Sequence, residues 1–294
     1  MMTYYFTLWG KEAAPFVQAN MFMFSTGAVI SPLIASPFLM KQGSNQINVP
    51  GSLFWPFAIL SGYQFLCTIL AFAAYLLSPI IERHPSQEAD RGREASGDKC
   101  DAHNIWKLLV FVLVILLMHS YMGVMTCLSS FLTTFTVKSD VRMSTAAGAH
   151  LTSLYWFMSS VVRLFGIFYI KRIGPEKNLF LCTGVVVMSN LFLFPFGDSD
   201  VLMLVIGVSV AGMGMSTITG SLYAFLEDYV PVTPRISACI NVAAYTGEFT
   251  FPYIFSDWIE QQPRIVLWVV LSCSMTMLIA FSFVSLTCRL KLKK

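Results

Sequence analysis

The sequence predicts an all-α protein that crosses a lipid bilayer about eight times, and three observations carry that expectation. Hydrophobic residues fill 56% of the 294 positions while charged residues fill only 12%, about half the charged share of an ordinary soluble domain. The apolar residues gather into eight long runs. Lys and Arg fall almost wholly on one side of those runs.

A bilayer-spanning helix needs about 20 mostly apolar residues. Eight segments meet that requirement or come close: Pro15–Met40, Leu53–Ile81, Leu108–Phe135, Ala146–Ile170, Leu179–Phe196, Val201–Leu226, Ile236–Phe255 and Ile265–Thr287. The fifth is the shortest. Pro32, Pro37, Pro56 and Pro252 lie inside or at the edges of these spans. Bundled membrane helices tolerate proline because neighbouring groups satisfy the freed carbonyls. The runs are continuous rather than alternating, which argues against a β-barrel.

The polar stretch Glu82–Asn104 has mixed charge and small residues and reads as a flexible linker. It leaves two spans before it and six after it. With the linker in the cytoplasm and the spans alternating, 14 Lys and Arg fall inside, from Lys11 to Lys294. Only Lys41, Lys138, Arg142 and Arg264 fall outside. That asymmetry orients the chain with both termini cytoplasmic. Met1–Gly10 lacks a basic stretch followed by an apolar core, so no signal peptide is expected.

Composition also narrows the chemistry. The net charge of +3 is small and not gathered into a patch, so no nucleic-acid partner is expected. Seven Cys are scattered, six of them in apolar stretches, without metal-ligand spacing. There is no His-Glu-x-x-His, no Gly-x-Ser-x-Gly, no phosphate-binding loop and no pair of intramembrane aspartates, so neither an enzyme nor an ATP-driven pump is expected.

Ionisable groups inside a span are expensive and usually face a bundle interior or a watery cavity. Arg163 in the fourth span and Glu248 in the seventh are the two that sit deep. Glu227 and Asp228 lie at the cytoplasmic end of the sixth. On helical spacing Asn241, Tyr245 and Glu248 form one polar stripe. Trp156, Ser159 and Arg163 form a second, His119, Gly123, Thr126 and Ser130 a third, and Gln18 with Ser25 a fourth. Converging hydroxyl, amide and aromatic groups suit a polyol or sugar, whose hydroxyls need directional hydrogen bonds and whose ring face stacks on aromatics. Such stripes also glue helices together, and for each hydroxyl that role is the commoner one. Glu248 differs, because a lone carboxylate at mid-depth must be protonated, paired or bound to a cation. Gly207, Ala211, Gly212, Gly214, Ser216 and Gly220 in the sixth span allow close helix approach and bending.

These residues resemble a known family. Phe16-Val-Gln-Ala and Gly27-Ala-Val-Ile-Ser-Pro-Leu-Ile-Ala-Ser-Pro-Phe-Leu39 resemble the fifth helix of sodium-dependent glucose transporter 1-like proteins, in the major facilitator superfamily. Thr152-Ser-Leu-Tyr-Trp156, Arg163 and Lys171-Arg-Ile-Gly-Pro175 resemble the eighth helix and the loop after it. Tyr223-Ala-Phe-Leu-Glu-Asp228 resembles the end of the tenth, and Gly247-Glu248 the eleventh. The resemblance implies a major facilitator-type bundle of which this chain supplies helices five to twelve, the first four being absent. Residues 1–81 then become a remnant of the N-terminal bundle, 82–106 the cytoplasmic inter-bundle loop and 107–294 the C-terminal six-helix bundle.

It further implies a secondary transporter of a glucose-like sugar or similar polar solute, sodium- or proton-coupled, in the plasma membrane, with no other cofactor. Gln18, Trp156, Asn241, Tyr245 and Glu248 are the substrate-site candidates, with Glu248 as the possible sodium ligand. Because the resemblance sets helices eight and ten side by side, Arg163 is expected to latch onto Glu227 or Asp228. Two alternatives stand beside this reading: a truncated, non-transporting or regulatory form that associates with a full-length homologue, and a passive pore for small neutral solutes.

Overall fold

Long apolar stretches in this chain become helices because only a helix satisfies every backbone hydrogen bond within its own segment. The computed structural model describes residues 13–39, 50–77, 102–230, 232–259 and 261–292. Its helices are α1 (Ala13–Leu39), α2 (Pro50–Leu77), α3 (Ala102–Thr126), α4 (Leu132–Lys138), α5 (Thr145–Ile173), α6 (Pro175–Phe196), α7 (Val201–Met215), α8 (Ile218–Glu227), α9 (Pro234–Phe255) and α10 (Ile265–Leu292). A π-helical turn, Cys127–Phe131, joins α3 to α4 in one rod. A break at Ser216 and Thr217 separates α7 from α8 within another. Eight rods result among the described residues, matching the eight expected spans. Seven are long and apolar enough to cross a membrane. The eighth, α9, is 22 residues long but carries Arg235, Asn241 and Glu248.

Expected and observed ends differ by a few residues. The rod that includes α3 starts at Ala102, inside the stretch read as linker. Met40, Ser78–Ile81 and the linker from Glu82 to Asp101 lie outside the described residues. Local sequence explains several boundaries. The side chains of Ser144, Asp200 and Thr233 accept hydrogen bonds from the backbone N–H groups of Ala147, Leu202 and Ile236, capping α5, α7 and α9. Gly174, at φ 82°, turns the chain from α5 into α6, where Pro175 takes the first helical position.

The chain divides into two units, Met1–Lys41 with Lys107–Lys294, and Gln42–Trp106. In the first unit α1 lies along α5, and α8 also touches α1. Phe24 of α1 meets Trp156 of α5 edge-on, ring centroids 5.7 Å apart. α6 packs against α7, α8 and α10, and α5 packs against α7. The small residues of α7 serve this packing: Gly207 and Gly214 lie against Leu193 and Val186 of α6, and Gly212 against the Tyr155 carbonyl of α5. In the second unit α2 exposes Phe54, Trp55, Phe57, Phe65 and Phe72, the all-round apolar surface of a lipid-embedded helix.

Candidate functional site

Arg163 occupies the centre of the first unit with 2% of its surface exposed. A buried guanidinium needs acceptors on all sides of its fork. Its Nε donates to the Ser216 carbonyl at 2.7 Å, and one terminal nitrogen donates to the Met21 carbonyl at 2.8 Å. The Tyr121 hydroxyl is a further hydrogen-bonding neighbour. Ser216 sits where α7 stops, so its carbonyl is among those left without a helical donor. Arg163 therefore ties α1, α5 and the break between α7 and α8 together.

The same break is held from its other side. Asn178 of α6 donates through Nδ2 to the hydroxyls of Thr217 (2.8 Å) and Ser221 (2.7 Å). The Cys182 sulfur lies 3.1 Å from the Thr217 hydroxyl. All four residues are buried. Sequence reasoning did not single out Asn178 or Tyr121; the run Gly-Met-Ser-Thr-Ile-Thr-Gly at 214–220, too polar and too small for an unbroken span, was the available signal.

The expected latch is not formed in this structure. Neither Glu227 nor Asp228 is a partner of Arg163. Glu227 Oε2 accepts from the Val232 backbone N–H at 2.7 Å, closing the turn after α8, and Asp228 is exposed. Helix geometry gives the reason: eleven residues at about 1.5 Å each put Glu227 roughly 16 Å along the rod from Ser216. The guanidinium meets freed carbonyls first.

The five substrate-site candidates fall into two groups. Gln18 and Trp156 are buried, at 0% and 6% exposure. Trp156 is boxed in edge-on by Phe24 and Tyr155. Gln18 presses its amide against Gly220 of α8, where a Cβ would collide with Nε2. Both Gln18 amide atoms lack a hydrogen-bond partner. Asn241, Tyr245 and Glu248 share one exposed face of α9, with Tyr245 64% exposed. Gln18 and Trp156 are thus buried in separate contacts, while the three α9 residues share an exposed face.

α9 meets α3 at a tight crossing. A Cβ on Gly247 would strike the His119 carbonyl, and one on Gly123 would strike the Phe251 ring. His119 Nδ1 lies 3.5 Å from the Thr246 hydroxyl. The expected stripe of His119, Gly123, Thr126 and Ser130 is interrupted: Thr126 is buried while Ser130 is exposed. The π-helical turn supplies the physical reason, since wider turns rotate every later residue away from a 3.6-residue register. The stripe Trp156, Ser159 and Arg163 stays on one buried face of α5, and Gln18 with Ser25 on one buried face of α1.

Two cavities flank the bundle. One, about 310 Å³, is apolar and lies between the first turns of α3, the end of α8 and the start of α9; Val110, Val114, Leu226 and Ile240 line it. The other, about 620 Å³, has a wall of mixed polar and apolar character and sits at the opposite end. Neither is lined by the five candidates. Among the described residues no group of three or more His, Cys, Asp or Glu could hold a metal ion.

Comparison with known proteins gives consistent results. The family model "Major Facilitator Superfamily" matches residues 7–252. The chain is 26% identical over 272 residues to the Homo sapiens sodium-dependent glucose transporter 1, covering 84% of this chain and 50% of that protein. Against the Danio rerio protein of the same name the identity is 26%, over 83% of this chain and 43% of that one. The chain thus spans about half the length of the curated relatives it matches. Among solved structures, the transporter FucP in its outward conformation superposes with a TM-score of 0.66 at 15% identity, covering 93% of this chain and 69% of that one. That likeness concerns the fold.

Proposed function

This chain belongs to the Major Facilitator Superfamily, and from that premise we propose that it forms part of a secondary transporter for a sugar or a similar small polar solute. Transport is coupled to sodium and proceeds by alternating access. It is an integral, multi-pass membrane protein; the plasma membrane as its site and cytoplasmic termini belong to the proposal. The relatives named as sodium-dependent glucose transporters support the solute and the ion, and the charge asymmetry supports the orientation.

One observation carries the reading. Asn241, Tyr245 and Glu248 are exposed together on a helix of membrane-spanning length. A carboxylate facing lipid is strongly disfavoured, so such a face belongs against water or another polar wall. The face is proposed to line the solute passage, with Glu248 as the ion ligand and Asn241 and Tyr245 as hydrogen-bonding partners of solute hydroxyls. Gln18 and Trp156, buried beneath α8 and α1, are proposed to meet solute only after the helices rearrange. The unpartnered Gln18 amide supports this, because a buried amide without partners is held at an energetic disadvantage.

The test is uptake of labelled glucose into proteoliposomes with and without a sodium gradient, using a full-length version and its Glu248→Gln variant. Saturable, sodium-dependent uptake that the variant loses is the expected result. Sodium-independent uptake, or none, rejects the proposal; unsaturable uptake indicates a pore instead. A second reading is that this chain associates with a full-length homologue. Crosslinking that recovers only monomer rejects that reading.

A further inference from the structure

The cavity of about 620 Å³, its wall of mixed polar and apolar character, lies among the turns after α4, after α6 and before α10, at the end of the bundle that the charge asymmetry puts outside. Its wall includes Ser139, Asp198, Gln261, Gln262, Arg264 and Trp268. None belongs to the passage proposed above.

Three turns far apart in sequence are tied together here by one carboxylate. Asp198, 5% exposed, accepts from the Asp140 backbone N–H at 3.3 Å through Oδ1 and from Arg264 Nε at 2.5 Å through Oδ2. The cavity is thus built before any ligand arrives, which lowers the entropy lost on binding. Trp268 is 61% exposed, and its indole is fixed by Phe194, which meets it edge-on at 4.5 Å. Ser139 is 3% exposed, and its hydroxyl has no hydrogen-bond partner although the residue lines the cavity. That hydroxyl is sealed from the cavity, so recognition there falls to the exposed groups of the wall.

Charge selects the ligand class. Lys138 and Arg264 are balanced by Asp140 and Asp198, so the cavity favours neither a net anion nor a net cation. What it offers is an exposed aromatic ring and two primary amides. These suit a ring with an apolar face and a belt of hydroxyls. We propose that this cavity is a second binding site, at the mouth of the bundle, for a neutral polyhydroxylated solute of monosaccharide size. The ring lies on Trp268, and Gln261 and Gln262 engage its hydroxyls.

The experiment is equilibrium binding of labelled D-glucose to the full chain in lipid nanodiscs, for the wild type, Trp268→Ala, Gln262→Ala and Glu248→Gln. Gln262 is exposed, so its truncation leaves the fold intact, and an unchanged thermal midpoint verifies this. We expect Trp268→Ala and Gln262→Ala each to weaken binding about tenfold and Glu248→Gln to leave a glucose-binding component in place. Binding unaltered by both cavity variants overturns the proposal, as does a wild type that binds no glucose. If Glu248→Gln alone abolishes all binding, the mouth site is wrong while the passage on α9 stands. If the mouth variants lose binding but a full-length version shows no uptake, the mouth site stands and the transport reading falls.

Discussion

Replacing Arg163 tests the centre of the bundle, and the structure sets the size of the effect. Arg163→Met keeps the length and apolar volume of the stem but removes the fork. Two charge-assisted hydrogen bonds disappear, to Ser216 and Met21, each contributing about 1.5–3 kcal/mol. Against that loss stands relief from burying a cation, an effect of several kcal/mol. What does not cancel is the Ser216 carbonyl, stranded at the break between α7 and α8 at a penalty of about 1–3 kcal/mol. Arg163→Met is therefore expected to destabilise the folded chain by about 1–3 kcal/mol. Arg163→Lys is expected to do at least as much harm, because an ammonium group lacks the planar fork and stays buried with one carbonyl unserved. The assay is reversible unfolding in mixed micelles, followed by helicity. If Arg163→Lys is as stable as the wild type, or Arg163→Met more stable than it, the bridging role is refuted.

Three further outcomes follow from the same contacts. Arg163→Ala and Glu227→Ala share no partner, so their stability effects are expected to add within about 0.5 kcal/mol in a double-mutant cycle; a larger coupling would restore a direct latch. Gln18→Leu removes an amide whose two polar atoms are unpartnered, and is expected to stabilise the bundle by about 1–2 kcal/mol, read by denaturant midpoint, while slowing solute uptake. Gly247→Ala drives a methyl into the His119 carbonyl, which a backbone cannot easily yield. A loss of about 1–3 kcal/mol is expected, together with a wider α3–α9 separation in spin-label distance measurements.

The number and order of rods could be read from the sequence because lipid imposes one dominant rule, a run of about 20 apolar residues for each crossing. Arg163 was identifiable for the same reason: a lone guanidinium in an apolar run is conspicuous. Its partners were not legible, because they are backbone carbonyls at a helix break, and no side-chain pattern marks a carbonyl. The π-helical turn at Cys127–Phe131 was equally hidden. A strict 3.6-residue wheel placed Ser130 with His119, and one wide turn moved it away. The polarity of Gln18 is legible in the sequence, but its burial on α1 against Gly220 of α8 is not. Polarity alone does not distinguish an open cavity from a tight interface. The cavity at the mouth escaped notice because its wall comes from three turns separated by some 60 residues each, and turns carry little periodic signal.

The composition of α9 has a consequence for how the protein is made. A charged side chain near the middle of a segment raises the free energy of its transfer from the translocon into lipid by about 2.5–3.5 kcal/mol, and α9 alone among the eight rods is not apolar enough to qualify as a span. Its entry must then be assisted by segments that arrive with it. α3 is already in place when it emerges, and the strongly apolar α10 follows within ten residues. The polarity proposed to make α9 useful to a solute thus also makes its biogenesis cooperative, so that substitutions in α10 that weaken membrane anchoring should strand α9 outside the bilayer.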